Sequence, residues 1–355
     1  MKKAGKIILC IVLFLLLIAG GAFAYAMHSL SLNDYEEGTL FTVNEGDVGR
    51  RVFSNLKEDG IIRNDTVAYY YSRLSHPSDF KAGKYHLPKG LDMNSLIDYL
   101  SDSTNAYQET VSIRFREDDN LEIMAGRIEE ALGISKEDIL EYWNGSAVDT
   151  YINDYEFLTE DIKGSDIRYA LEGYLFPDTY EFYLESSLDD ITRRMLDRGE
   201  EVYEKYRSDF SASSHSIHEI YTMASIVQYE SGTDDQDDMS HVASVFYNRL
   251  DAGMPLQSTV TACYGRGLDK EGCHLYGDLY ETTKAENAYN TYLFYGLPPG
   301  PILCPGEKAI YAALNPTDDK DFYFVGDLCG GSGHNYFAET LAEHELNIER
   351  YVSCK

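Results

Sequence analysis

The stretch Met223-Ala-Ser-Ile-Val-Gln-Tyr-Glu230-Ser231-Gly232 decides the prediction for the larger part of this chain. Together with Ile220, its apolar side chains recur at the i, i+3, i+4, i+7 spacing of one helical face. Glu230 lies three residues beyond Val227 and continues that face, and Ser231-Gly232 supplies a helix end. A carboxyl group at the exit of an apolar face is desolvated, which favours its protonated form and suits a general acid. The alternative interpretation is a frayed helix end whose glutamate turns into water.

The N-terminus predicts a single-pass membrane anchor. Residues 7–27 are 21 positions without a charged side chain, and at about 1.5 Å per helical residue they can cross a hydrocarbon core of roughly 30 Å. Lys2, Lys3 and Lys6 favour a cytoplasmic start, with the chain after about residue 28 outside. The alternative is a cleaved signal peptide, because Ala22-Phe23-Ala24 resembles a cleavage site. The length of the apolar segment favours the uncleaved anchor.

Length and charge restrict the classes of partner. The chain has 355 residues and a net charge of −30, which is long enough for two or three domains. Without the three N-terminal lysines, the predicted exported part carries about −33. Such an acidic surface repels nucleic acid and anionic lipid, so we expect no nucleic-acid partner.

Five cysteines fall outside the predicted anchor, and an exported location permits disulfides. Cys263 and Cys273 could close a short loop, and the odd count leaves one thiol over; the other pairings stay open. A zinc site that uses His274 is an alternative, but no tight C-x-x-C pair supports it, and we predict no metal or cofactor. The five are Cys263, Cys273, Cys304, Cys329 and Cys354.

The predicted fold class is α+β. After the anchor (residues 1–28), residues 38–104 have a β-α-α-β order that is typical of a LysM-like module, the alternative being a small α+β domain without a ligand. For residues 105–355 we predict a mainly helical, lysozyme-like domain with loop-rich and β insertions. Within it, residues 105–165 could form a linking subdomain. The signals in the small module are strand candidates at 40–43 and 80–87 and helix starts at Asp47, Asn64 and Asp92.

A second acid would be needed by a two-carboxylate glycosidase. Glu172, Asp178 and the acidic loop 234–238 are candidates, although spacing alone pairs none of them with Glu230. The aromatic block 174–183 could stack on sugar faces, and core packing is its alternative. The chain has no G-x-S-x-G elbow and no H-E-x-x-H motif, which excludes the common serine hydrolase and zinc protease patterns.

Several long motifs occur in one order along almost the whole chain. They are Leu171–Tyr180, Met223–Ser231, Val245–Leu250 with Gly253–Gln257, and Ala288–Tyr292 with Gly296–Ile302. In these motifs the chain resembles the MltG/YceG-type endolytic murein transglycosylases.

The resemblance implies a catalytic role for Glu230, which occupies the second acidic place of a Ser-Ile-Val-Glu-x-Glu pattern. This chain departs from the pattern at the first place, where it has Gln228. The same resemblance suggests substrate-binding residues in the motifs, without individual roles. They are Ser231, Tyr174, Phe176, Asp178, Gln257, Asn290 and Tyr292.

The reaction implied is cleavage of the N-acetylmuramic acid to N-acetylglucosamine bond in nascent peptidoglycan strands, which leaves 1,6-anhydro ends and ends strand elongation. Glu230 would act first as general acid and then as general base. The implied partners are glycan strands, the membrane and penicillin-binding synthases. A muramidase that uses water, and a non-catalytic wall-binding scaffold that recruits synthases, are the alternative functions.

Overall fold

A computed structural model describes residues 2–44, 46–77, 79–107, 109–268, 273, 283–331 and 333–354. The chain divides into two compact units, Met1–Glu109 and Thr110–Lys355. Helices dominate, and the sheets are small and antiparallel, which confirms the predicted α+β class. His274, named above as a potential zinc ligand, lies outside the described residues.

Helix α1 (Lys2–Leu30) opens the first unit. Its C-terminal end lies against this unit, where Arg63 is hydrogen-bonded to the His28 ring at 3.0 Å. Just after the helix, Leu32 forms an isolated antiparallel bridge with Ile62. Among the residues that the structure describes, no helix is both long and apolar enough to cross a membrane.

The first unit contains a three-stranded antiparallel sheet with the strand order β1-β2-β3. Two helices connect β1 to β2, so the predicted β-α-α-β order is present, and a third helix and the short strand β3 follow it. The elements are β1 (Thr39–Val43), α2 (Gly49–Glu58), α3 (Asp65–Ser75), β2 (Gly83–Leu87), α4 (Met93–Ser101) and β3 (Ala106–Tyr107). The LysM-like assignment of this unit stays a prediction.

Two of the three predicted helix starts in this unit are confirmed. The Asn64 side chain accepts a hydrogen bond from Val67 N at 3.0 Å, and Asp92 accepts one from Ser95 N at 2.8 Å. The prediction for Asp47 is wrong, because α2 has Val48 at its N-cap. The Asp47 carboxylate instead accepts a hydrogen bond from the backbone N of Asn44, a local turn that competes with capping.

In its described residues, the second unit is a set of helices with two small antiparallel sheets, β4-β5 and β6-β7. The helices are α5 (Leu121–Leu132), α6 (Lys136–Asn144), α7 (Ala147–Asp154), α8 (Leu188–Lys205), α9 (Arg207–Ala212), α10 (Ile217–Glu230), α11 (Gln236–Asp251), α12 (Thr259–Gly265), α13 (Glu307–Leu314) and α14 (Leu341–Tyr351). The strands are β4 (Thr110–Arg114), β5 (Thr179–Tyr183), β6 (Tyr323–Gly326) and β7 (Asn335–Ala338).

Helix α10 is the central helix of this unit. A capping box starts it, in which Ser216 Oγ accepts from Glu219 N and Glu219 Oε2 accepts from Ser216 N. All eight residues from 220 to 227 are buried, so the helix has core contacts on every side and not on the single face that the spacing predicts. Helices α11, α12 and α13 pack around it. Glu230 is therefore carried by a rigid element.

The cysteine pairing follows the sequence prediction where that prediction was specific. Cys263 and Cys273 form a disulfide, and a second disulfide joins Cys329 to Cys354. The thiol left over is Cys304, which is buried.

Candidate active site

Glu230 is the last residue of α10 and is half-buried. Desolvation raises the pKa of its carboxyl above the ordinary value, and two nearby groups oppose this effect, namely the Ser258 hydroxyl and the positive charge of Arg249. The raised pKa keeps the proton on this carboxyl to a higher pH than in water, as a general acid requires.

The hydrogen-bond partner of Glu230 comes from a different segment of the chain. Ser258, immediately before α12, donates its hydroxyl hydrogen to Glu230 Oε1 at 2.7 Å. Ser258 is only 2% exposed, whereas its neighbour Gln257 is exposed. The carboxyl is thus held at the edge of the core and does not turn into bulk water.

Arg249 is the cation that acts on Glu230. It lies on α11, and its Nε donates to Phe322 O at 2.7 Å while Nη1 donates to Leu256 O at 2.6 Å. Its guanidinium also lies over the Tyr323 ring, 5.5 Å from the centroid. Burial lowers the pKa of Arg249 somewhat from its very high ordinary value, so the group stays charged at neutral pH.

A groove of about 700 Å³ opens beside the last turn of α10. This volume lies within the range of ligand sites in proteins. The groove wall includes Gln228, Tyr229 and Gly232, which flank Glu230, although Glu230 itself is not a lining residue. The complete lining is Arg114, Phe115, Arg116, Glu117, Asp118, Pro177, Asp178, Thr179, Gln228, Tyr229, Gly232, Thr233 and Asp234.

The groove carries charges of both signs, with acidic groups in the majority. Burial and the neighbouring Asp234 raise the pKa of Glu117, while Lys308 and Arg114 oppose this shift. Asp234 forms an ion pair with Lys308 at 2.7 Å. The wall is therefore polar, and it suits a hydroxyl-rich ligand better than an apolar one.

The profile of the YceG-like family matches residues 41–350. The chain belongs to the YceG-like family. It is similar to the endolytic murein transglycosylase of Bacillus subtilis (strain 168), with 34% identity over 347 residues that cover 96% of this chain and 92% of that protein. The endolytic murein transglycosylase of Streptococcus pneumoniae serotype 2 (strain D39) is 30% identical over 362 residues, which cover 97% of this chain and 65% of that protein.

A solved structure is also similar to this YceG-like chain. The 2.6 Å crystal structure of a yceG-like protein from Listeria monocytogenes superposes with a TM-score of 0.61 at 28% identity, and the match covers 86% of this chain and 98% of that one.

Four of the predicted binding residues of this YceG-like protein are buried. Tyr174 is 1% exposed and is hydrogen-bonded to His218 at 2.7 Å, and Phe176 is 7% exposed beneath the Arg198 guanidinium. Asn290 is fully buried and donates to Ala285 O at 2.8 Å. Ser231 is 1% exposed, and its carbonyl accepts from Asn335. These contacts stabilise the fold, and a role of the four residues in substrate binding stays a prediction.

The other three predicted binding residues remain accessible. Asp178 is exposed, lines the groove and forms an ion pair with Arg198 at 3.1 Å. Gln257 is exposed beside Ser258, and Tyr292 is half-buried with its hydroxyl 2.9 Å from Thr259 Oγ1. These three stay candidates for contact with a substrate.

Gln228, where the chain departs from the glutamate of the family pattern, has a structural contact. Its Oε1 accepts a hydrogen bond from Gly306 N at 3.0 Å, at the start of α13. An amide oxygen and a carboxylate oxygen can both accept this bond, so the contact does not require a charge at position 228.

Of the second acids proposed from the sequence, Asp178 and Asp234 line the groove, whereas Glu172, Asp235 and Asp238 have contacts elsewhere in the fold. Glu172 is 1% exposed and accepts hydrogen bonds from Leu121 N and the Tyr264 hydroxyl. In the acidic loop, Asp235 caps α11, and Asp238 accepts hydrogen bonds from Asn335. Among the described residues, two carboxyls at or beside the groove wall have a raised pKa, the exposed Glu117 and the half-buried Glu230. Glu230 is the one for which desolvation acts on a carboxyl at the end of a buried helix.

Ser258 and Arg249 are the functional candidates that sequence reasoning missed. Both lie in or next to the family motifs, but no local periodicity links them to Glu230. The Ser258 contact joins residues 28 positions apart. A pattern of apolar residues reports which face of a helix is buried, and it carries no information on which distant hydroxyl faces that helix.

Proposed function

We propose that this YceG-like protein is an endolytic murein transglycosylase that cuts peptidoglycan glycan strands between N-acetylmuramic acid and the next N-acetylglucosamine. The names of its relatives from Bacillus subtilis and Streptococcus pneumoniae support the activity. The observation that carries the proposal is Glu230, a half-buried carboxyl with a raised pKa whose neighbours Gln228, Tyr229 and Gly232 line a polar groove of about 700 Å³.

In the first step Glu230 acts as a general acid. Its proton passes to the glycosidic oxygen, the bond from that oxygen to C1 of the muramoyl sugar breaks, and N-acetylglucosamine leaves with a hydroxyl group. Positive charge then develops at C1 with oxocarbenium character, assisted by the 2-acetamido group of the same sugar. Glu230 is left ionised, a state that the Ser258 hydroxyl and the Arg249 charge favour.

In the second step the same carboxylate acts as a general base. It takes the proton from the C6 hydroxyl of the muramoyl sugar while that oxygen bonds to C1, which closes the 1,6-anhydro ring and restores protonated Glu230. Because the nucleophile belongs to the substrate, its proximity replaces a positioned water and no second carboxylate is needed. This agrees with the structural contacts of Glu172, Asp235 and Asp238.

Substrate contacts in this proposal come from the accessible candidates. Gln257 lies next to Ser258, Tyr292 lies across from Thr259, and Asp178 lines the groove. Amide, phenol and carboxylate groups of this kind can hydrogen-bond to sugar hydroxyl and acetamido groups.

The test is digestion of peptidoglycan strands by the full chain, followed by mass spectrometry of the new ends. We expect 1,6-anhydro-muramoyl ends from the wild type and none above background from Glu230→Gln. The matched control is Glu181→Gln, an exposed glutamate on β5, which should cleave like the wild type. Cleavage that survives in Glu230→Gln would refute the catalytic assignment.

The same assay separates the alternatives. Reducing ends in place of anhydro ends would indicate a muramidase that uses water. Tight glycan binding without any cleavage by the wild type would indicate a scaffold. A direct association with penicillin-binding synthases stays a prediction of the family resemblance.

The location is part of the proposal. The uncharged segment 7–27 and the lysines before it support a single-pass anchor with a cytoplasmic N-terminus and an extracytoplasmic second unit. The full chain should then resist extraction from membranes by alkaline carbonate, and a chain without residues 1–28 should be released. Release of the full chain by carbonate would contradict the anchor.

A further inference from the structure

Ser258 is fixed on both sides of its peptide backbone by two threonine hydroxyls. Ser258 N donates to Thr291 Oγ1 at 3.0 Å, and Ser258 O accepts from Thr261 Oγ1 at 2.8 Å. The two threonine hydroxyls lie 2.9 Å from each other. All three residues are at most 2% exposed. This buried cluster fixes the backbone of Ser258, and the Ser258 hydroxyl donates to Glu230 Oε1 at 2.7 Å.

The residue before Ser258 has an unusual backbone conformation. Gln257 has a φ of 54°, a left-handed value that non-glycine residues rarely adopt. The backbone is held there from both sides, because Gln257 N donates to Thr291 O at 3.1 Å and Leu256 O accepts from Arg249. The turn exposes Gln257 between two buried neighbours, Leu256 and Ser258. Strained backbone of this kind persists where the surrounding contacts impose it, often at functional sites.

We propose that Ser258 is a positioning residue for Glu230, whose hydroxyl binds Oε1 and thereby leaves Oε2 to exchange the proton with the substrate. This inference rests on the proposed transglycosylase reaction. Oε2 gives its proton to the glycosidic oxygen in the first step and accepts the C6 hydroxyl proton in the second, while Ser258 keeps its own hydrogen throughout. A hydroxyl donates more strongly to a carboxylate than to a neutral acid, so the contact favours the ionised intermediate state.

Within the part of the chain that the structure describes, a charged group and a titratable group act on or beside Glu230. Arg249 faces it from α11, and Tyr229 precedes it on α10 and has its own pKa raised in part by the Glu230 charge. Tyr292 and Tyr323 act on Arg249. Ser258 carries no titratable charge, so removal of its hydroxyl changes the hydrogen bonding of Glu230 without changing any charge.

The experiment compares Ser258→Ala, Ser258→Thr and Glu230→Gln in the full chain, measuring anhydro-end formation against pH. We expect kcat of Ser258→Ala to fall roughly 10- to 100-fold, the range for a hydrogen bond to a charged group, with KM almost unchanged. Loss of the hydroxyl removes an influence that lowers the pKa of Glu230. The alkaline limb of the pH profile, where the acid loses its proton, should therefore move to higher pH.

A matched control tests whether the loss of any buried hydroxyl has this effect. Ser225 lies on α10, the helix that carries Glu230; it is fully buried and accepts a hydrogen bond from Ile302 N at 3.1 Å. Ser225→Ala should lower thermal stability but keep the wild-type pH profile. Ser258→Thr, which retains the hydroxyl, should also keep that profile.

The outcomes are distinguishable. A wild-type kcat and pH profile in Ser258→Ala, together with inactive Glu230→Gln, would overturn the role of Ser258 and leave the proposed reaction intact. An active Glu230→Gln would overturn the reaction itself. If Ser258→Ala does not fold, Ser258→Cys decides the point, because it keeps the size of the side chain but donates only weakly; an unchanged pH profile there overturns the inference.

Discussion

Glu172 makes the stability of this protein depend on pH in a predictable way. Its residue surface is 1% exposed, Oε1 accepts from Leu121 N at 3.1 Å, and Oε2 accepts from the Tyr264 hydroxyl at 2.9 Å. Burial raises the pKa of this carboxyl to about 8, because the two hydrogen bonds and the charge of Arg168 offset only part of the desolvation.

The sign and size of the effect follow from the two titrations. In the unfolded chain this carboxyl loses its proton near its ordinary pKa of 4.5, while the folded protein keeps the proton up to about 8. Because the folded protein holds this proton more tightly, the protonated carboxyl contributes its full stability below the unfolded pKa of 4.5. That contribution is lost as the pH rises toward the folded pKa of about 8. At about 1.4 kcal/mol for each pH unit, the interval between the two pKa values corresponds to roughly 5 kcal/mol in the free energy of unfolding.

The assay is urea unfolding of the full chain and of Glu172→Gln across about pH 5 to about pH 9, with the free energy of unfolding extrapolated to water. Glutamine keeps the size of the side chain but cannot ionise. The variant should therefore gain stability relative to the wild type as the pH rises, by roughly 4 kcal/mol over this range because pH 5 already lies above the lower pKa, with the change levelling off above about pH 8. Glu181→Gln, which alters an exposed carboxyl on β5, should show no such divergence. Parallel curves for Glu172→Gln and the wild type would refute the reasoning.

Three further predictions concern other contacts. Gln257→Gly should keep or raise the free energy of unfolding, by up to about 1 kcal/mol, because glycine adopts the left-handed backbone without strain. Gln257→Val should lower it by about 1–2 kcal/mol, and urea unfolding of both variants checks this. Gln228→Glu should cleave glycan within a few-fold of the wild-type rate, since either side chain can accept from Gly306 N; complete loss of anhydro ends would contradict that role. The double change Cys329→Ser and Cys354→Ser opens a disulfide between residues 25 positions apart and should lower the free energy of unfolding by about 3 kcal/mol, measured by urea unfolding under non-reducing conditions.

Local signals in the sequence predicted the local structure well. The spacing after Ile220 gives a helix that ends at Glu230, and Asn64 and Asp92 cap helices as their side-chain chemistry requires. These predictions succeed because each depends on residues within one or two helical turns of each other. The prediction for Asp47 failed for an equally local reason, since its carboxylate binds the turn at Asn44.

Contacts between distant segments could not be predicted in the same way. The sequence shows an aromatic block around Tyr174, but not that the block lies under α10, where Tyr174 reaches His218 across 44 positions. An aromatic run suits a sugar platform and a protein core equally well, because both use large flat apolar surfaces. Ser258 was missed for a different reason: it belongs to no sequence pattern that would point to Glu230, yet its hydroxyl donates the hydrogen bond to this candidate acid.

Glu172 and Glu230 together show why burial alone does not make a catalytic acid. Desolvation is the largest influence on both carboxyls and raises the pKa of each. Glu172 is enclosed by Leu121 and Tyr264 and can exchange its proton with no ligand at the surface. Glu230 sits at the end of its helix, half-buried, where burial favours the protonated state and the contacts with Ser258 and Arg249 favour the ionised one. Opposing influences act on Glu172 as well, where two hydrogen bonds and Arg168 offset part of the desolvation. A carboxyl that must give a proton and then recover one also has to reach its ligand, so the accessible position of Glu230 is what distinguishes it from the better-buried Glu172.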